Sequence, residues 1–147
     1  MRLGSVDDAE AFGAALASTL RAGDVIALFG DLGAGKTTIS RGVLKGLGFS
    51  GDVASPTFPI VIAYDPPEVR LPVYHVDLYR IEDEEELQEL ALDEGRDGGA
   101  LLVEWPERMG GSLWPDALLL RIAMQADGSR VLTAQVPAAW EGRWPLT

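Results

Sequence analysis

The sequence predicts an α/β fold with a largely parallel central sheet, and three observations carry that prediction. Short apolar runs alternate with segments of helical periodicity along 147 residues. A glycine-rich stretch, "GDLGAGKTT" at 30–38, joins one such run to the helix that follows it. Two apolar runs, 72–79 and 100–105, carry a carboxylate near their carboxyl ends, where an open α/β sheet lines its ligand crevice.

Each element has a local reason. Residues 5–22 read as a helix that Ser5 caps, with Asp8 three residues on, Ala9, Phe12, Leu16 and Leu20 on one face, and Gly23 as its stop. "DVIALF" (24–29) is a buried strand. Ile39, Val43, Leu44 and Leu47 mark the apolar face of the helix after the glycine loop, ending at Gly48. "PIVIAY" (59–64) and "PVYHVDLY" (72–79) are strands separated by the turn residues Asp65, Pro66 and Pro67. Asp83 with Glu86 opens an acidic helix with Leu87, Leu90 and Ala91 facing inward. "ALLVEW" (100–105) is another buried strand, and 117–124 with 130–136 form a late antiparallel pair around Asp127-Gly128. No repeat or linker interrupts the chain, so one domain spanning 1–147 is expected.

Composition narrows the function. Twelve Lys and Arg stand against 23 Asp and Glu, a net charge of −11, which argues against autonomous nucleic-acid binding. The absence of cysteine excludes disulfides and thiolate metal sites. Residues 1–20 contain Asp7, Asp8 and Glu10 and lack the apolar core of a signal peptide. No apolar run is long enough to span a membrane, so a cytoplasmic location is expected.

Gly30, Gly35, Lys36 and Thr37 match G-x-x-x-x-G-K-[ST], the phosphate-binding loop, between a strand and a helix as that motif requires. Glycine admits backbone angles that let successive amides converge on phosphate oxygens. Lys36 would reach the β and γ phosphates, and the Thr37 hydroxyl would ligate Mg²⁺. Glu104 and Asp77 are the candidate acidic partners, and spacing does not say which touches the metal. Ser55 and Thr57, in "SPTF" (55–58), stand where a γ-phosphate sensor is placed in many phosphate-loop proteins; an ordinary turn is the equal alternative.

"GDLGAGKTT", "SPTF", "YHVDLYR" with the acidic "EDEEELQEL", and "LLVEWPERM" occur in the order and spacing of the TsaE family, and the sequence resembles that family over about residues 5–136. The resemblance implies a phosphate-loop NTPase-like three-layer fold that binds ATP or ADP with Mg²⁺ and hydrolyses ATP slowly. It implies a role in making N6-threonylcarbamoyladenosine next to the anticodon of tRNA, by joining and cycling the TsaD–TsaB heterodimer; tRNA would be met only through that complex. Carried over by position, the run Gly33, Ala34, Gly35, Lys36, Thr37 and Thr38 holds the nucleotide phosphates, and Asp31 is a further nucleotide-binding residue. Thr37 and Glu104 are the magnesium pair, with Asp77 completing the centre through water. Ser5 and Arg130 approach the base or sugar, although Ser5 is equally explained as a helix cap.

Other features have plainer readings. His75, the single histidine, orients Asp77 or packs beside it. The acidic helix is a solvated face or a docking surface for a basic patch on a partner, Trp105 packs beside the site or meets a partner, and Trp140 and Trp144 either close over the core or lie exposed. Arg41 and Arg80 give no identifiable arginine finger, so turnover alone should be slow. A GTPase would need a D-x-x-G segment where Leu-Tyr-Arg follows Asp77, and a small-molecule kinase would need a second pocket and a lid. A nucleotide-gated adaptor without turnover is the remaining alternative, and self-association is left open.

Overall fold

A computed structural model describes residues 1–31, 33–53 and 60–144. In chain order its elements are β1 (Arg2–Leu3), α1 (Val6–Ala17), β2 (Val25–Phe29), α2 (Lys36–Gly46), β3 (Val61–Tyr64), β4 (Val73–Asp77), α3 (Glu84–Glu89), α4 (Leu92–Gly98), β5 (Ala100–Glu104), β6 (Leu118–Met124) and β7 (Arg130–Gln135). The strands form one sheet in the order β1-β7-β6-β2-β5-β4-β3. The four central strands β6, β2, β5 and β4 are mutually parallel; β3 and β7 run against them, and β1 pairs antiparallel with β7.

Every residue of β2 and of β5 is buried, as expected for strands covered on both faces. Alternate residues feed two cores. Ile26, Leu28, Leu102, Leu118 and Leu120 pack with α1 and α2 on one side. Val25, Val76, Leu101 and Val103 pack with Leu87 and Leu92 of α3 and α4 on the other. The late pair β6–β7 is antiparallel as its turn predicts, with Gln125 and Ser129 bonding across Asp127-Gly128.

Three expectations need correction. Helix α1 stops at Ala17, because the Ser18 and Thr19 hydroxyls donate to the Ala15 and Leu16 carbonyls and the chain tightens into i→i+3 bonds. Gly23 (φ +92°) lies beyond that stop and donates its N–H to Gly99. The acidic segment forms two helices, broken at Ala91 (φ +52°), which is exposed where an inward position was expected. On one continuous helix Leu87 and Leu92 would lie about 140° apart, so the break is what buries both in the same cluster. The two-residue strand β1 and the helix α4 had no signal strong enough to be expected.

The ambiguous tryptophans are resolved. Trp140 is fully buried in the α1–α2 core, and Trp144 meets Phe12 edge to face at 5.9 Å between centroids. Arg143 beside them makes a two-pronged ion pair with Asp24 at 2.7 and 2.9 Å.

Glycine sets the spacing of α1 against α2. A Cβ at Gly13 would stand 2.3 Å from the Ile39 carbonyl oxygen, and one at Gly42 would stand 2.2 Å from that of Glu10. The obstacle is backbone in both cases, so a side chain cannot swing away from it. On an exposed helix, Gly→Ala gains about 1 kcal/mol; overpacking at such a contact costs about 1–3 kcal/mol or more. Gly13→Ala and Gly42→Ala should therefore lower the unfolding free energy by more than about 1 kcal/mol in denaturant titrations. Unchanged or raised stability would show that the helices separate freely.

Candidate functional site

The parallel register places the candidate groups at one edge of the sheet. Leu28 of β2 lies level with Glu104 of β5, and Glu104 level with Asp77 of β4. The chain leaves β2 at Gly30 and returns as α2 at Lys36, so the glycine loop opens above these strand ends. Gly33 (φ +80°) and Gly35 (φ +115°) adopt left-handed backbone that a side chain would strain.

Helix α2 begins differently from its neighbours. Ser5 caps α1 by accepting from Asp8 N at 3.1 Å, Asp83 caps α3 by accepting from Glu86 N at 2.8 Å, and both have acidic first turns. Among the described residues no side chain caps α2, and its first turn has no acidic residue. Its leading amides and positive dipole end are therefore left for an external anion.

Lys36 is almost completely buried. Its ammonium donates to the Gly30 carbonyl and lies 3.8 Å from the centroid of the Trp105 ring. Burial pushes its pKa below the ordinary lysine value, and the carboxylates of Glu104, Asp77, Glu107 and Asp31 oppose that shift. Trp105 is itself held in left-handed backbone (φ +59°), with Tyr79 against it at 4.9 Å between centroids. Trp105 thus packs directly on the loop lysine, one of the two roles expected of it.

The Thr37 hydroxyl stands 3.4 and 3.3 Å from the two Glu104 carboxylate oxygens. Mg²⁺ takes oxygen ligands at about 2.1 Å, which puts neighbouring ligands of an octahedron about 3 Å apart. The Thr37–Glu104 pair matches that chemistry and spacing, so these residues fit the ion. Asp77 is buried on the same sheet face and accepts from Tyr79 N at 2.9 Å.

His75 lies on the same face of β4 as Asp77, as expected, and its Nε2 lies 2.6 Å from Glu104 Oε2, a partner across the sheet that was not expected. His75 pairs in register with Leu102, the previous residue of β5 on the Glu104 face, and this brings the imidazole to that carboxylate. Only knowledge of the β4–β5 register reveals this contact.

Ser5 and Arg130, far apart in sequence, line one small cleft with Gly35, Thr38, Val6 and Ile122. Arg130 donates to the carbonyls of Ala34 (2.8 Å), Gly33 (3.2 Å) and Gly128 (3.1 Å), fastening the β6–β7 turn to the glycine loop. Leu3 of β1 and Val6 of α1 add apolar wall to this cleft, and nothing in the sequence marked them. Asp31 is exposed at the loop's start, where its carbonyl accepts from Ala34 N. Arg41 is engaged by Glu10 at 3.5 Å. Ser55 and Thr57 lie outside the described residues.

Comparison with known proteins gives the family and the fold. The family described as "Threonylcarbamoyl adenosine biosynthesis protein TsaE" matches residues 3–132. A Bacillus subtilis protein named tRNA threonylcarbamoyladenosine biosynthesis protein TsaE is 41% identical over 128 residues, covering 86% of this chain and 78% of its own. One of the same name from Streptomyces coelicolor is 44% identical over 111 residues, 75% of each chain. The crystal structure of B. subtilis YdiB superposes with a TM-score of 0.81 at 32% identity, covering 97% of this chain and 88% of that one.

The desolvated lysine yields a pH-dependent prediction. A base whose native pKa is lowered binds fewer protons folded than unfolded as pH rises through that lowered value, so stability rises with pH there. Lys36→Met should melt higher than the parent at neutral pH without nucleotide, and this advantage should fade as pH approaches the ordinary lysine range. A variant that melts lower at neutral pH would show that Lys36 is not held at a cost.

Proposed function

The chain belongs to the TsaE family, and from that footing we propose that it binds ATP and ADP with Mg²⁺, hydrolyses ATP slowly, and serves N6-threonylcarbamoyladenosine biosynthesis on tRNA. One observation carries the reading. Lys36, Thr37, Glu104 and Asp77 meet at the end of the parallel strands, beside an uncapped helix N-terminus.

In this reading the amides of 33–38 and the dipole end of α2 receive the β and γ phosphates. Lys36 exchanges the Gly30 carbonyl and the Trp105 ring for phosphate oxygens. Ser5 and Arg130 border the base or sugar, with Val6 and Ile122 supplying apolar wall. Thr37 and Glu104 would hold Mg²⁺, which would supply Lewis-acid charge to the bound phosphates. Asp77 orients the water that attacks the γ-phosphorus in line as the bond to the β–γ bridging oxygen breaks, leaving ADP and phosphate. Ser55 and Thr57 remain candidate sensors of the γ-phosphate.

Slow turnover is part of this proposal: Arg41 pairs with Glu10 and Arg130 with loop carbonyls, and transition-state charge is expected to need a partner. The partner in this proposal is the TsaD–TsaB heterodimer, with tRNA met only through it, as a net charge of −11 favours. No helix among the described residues is long and apolar enough to cross a membrane, and we place the protein in the cytoplasm as a single domain over 1–147.

Phosphate release from Mg-ATP, measured alone and with TsaD–TsaB, tests the proposal. Turnover should rise with the heterodimer and fall about 100-fold or more in Lys36→Ala and Glu104→Ala. Retained ATP binding with no phosphate released under either condition would replace the ATPase with a nucleotide-gated adaptor, and a phosphorylated acceptor would make the protein a kinase.

A further inference from the structure

We propose that His75 is a positioning residue that fixes the Glu104 carboxylate for Mg²⁺, an inference that rests on the reading of Glu104 as a metal ligand. His75 has no exposed surface and Glu104 almost none, and Nε2 lies 2.6 Å from Oε2. A carboxylate oxygen accepts, so Nε2 carries the proton of this bond. Oε2 is then shared between the imidazole at 2.6 Å and the Thr37 hydroxyl at 3.3 Å, while Oε1 stands 3.4 Å from the same hydroxyl. Two donors on different elements, β4 and α2, thereby set the plane of a side chain whose terminal torsion is otherwise soft.

The other ring nitrogen shows that packing alone does not explain this residue. Nδ1 is buried without a hydrogen-bond partner among the described residues. An orphaned buried polar atom costs stability that an apolar side chain of similar size would avoid. On β4 the position faces Leu102 of β5 and Ile62 of β3, surroundings that leucine or phenylalanine would suit. The imidazole is accounted for by the bond its Nε2 makes. A partner of this kind behind a ligand orients it for the metal, and its loss typically weakens metal affinity about 10–100-fold.

Calorimetric titration of the full chain with ADP, in Mg²⁺ and in chelator, tests this without reference to turnover. His75→Gln keeps an N–H near the position of Nε2; His75→Leu removes the donor; His75→Asn keeps polarity but is too short to reach Glu104, and serves if the leucine variant does not fold. The gain in ADP affinity that Mg²⁺ confers should survive in His75→Gln and fall about tenfold or more in His75→Leu and His75→Asn. In chelator, the three should bind ADP as the parent does. A full Mg²⁺ gain in His75→Leu or His75→Asn, beside a Glu104→Gln control that loses it, would overturn the positioning role and leave Glu104 as the ligand. A full gain in Glu104→Gln would overturn both.

Discussion

The register of three parallel strands is the constraint on which the rest of this molecule depends. With Leu28, Glu104 and Asp77 level across β2, β5 and β4, the start of the glycine loop and two carboxylates arrive at one edge together. A slip of one residue in β5 would turn Glu104 to the opposite face, away from Thr37. That register is guarded by burial: every β5 residue is enclosed, and a slip would turn the Glu104 carboxylate toward the apolar cluster that holds Val25 and Val76. The hydrophobic pattern that folds the sheet also places the charged groups.

The second link is the position of α2. Thr37 reaches Glu104 because the helix rests at a fixed height over the sheet, and the glycines at its contact with α1 set the approach of the two backbones. Arg130 secures the loop from the other side through its carbonyls. Between these supports the leading amides of α2 are left uncapped and Lys36 is held nearly buried, with burial working against its charge. This local cost sits at the one place where an anion would relieve it, as expected where stability is traded for binding.

Much of this was legible in the sequence, for physical reasons. The loop motif declares itself because glycines, a lysine and a hydroxyl must occur at fixed offsets, and apolar runs such as "ALLVE" mark strands covered on both faces. Period-two alternation correctly put His75 and Asp77 on one face of β4. What stayed hidden depends on pairing between distant segments. The strand pattern sets His75 beside Asp77, but its bond to Glu104 runs across the ladder to another strand. The break at Ala91 follows from the need to bury Leu87 and Leu92 together, a tertiary demand that overrides the highest helix propensity of any residue. Strand β1 is two residues long and exists because β7 offers an edge to it.

The central claim is that nucleotide phosphate and a divalent cation meet between the glycine loop and Glu104. A crystal structure with ADP and Mn²⁺, using the anomalous signal of manganese in place of magnesium, tests it most directly. The account predicts an anomalous peak bound by the Thr37 hydroxyl and a β-phosphate oxygen on the Glu104 side, with loop amides around the phosphates. Phosphates seated away from 33–38, or a cation remote from both Thr37 and Glu104, would contradict it.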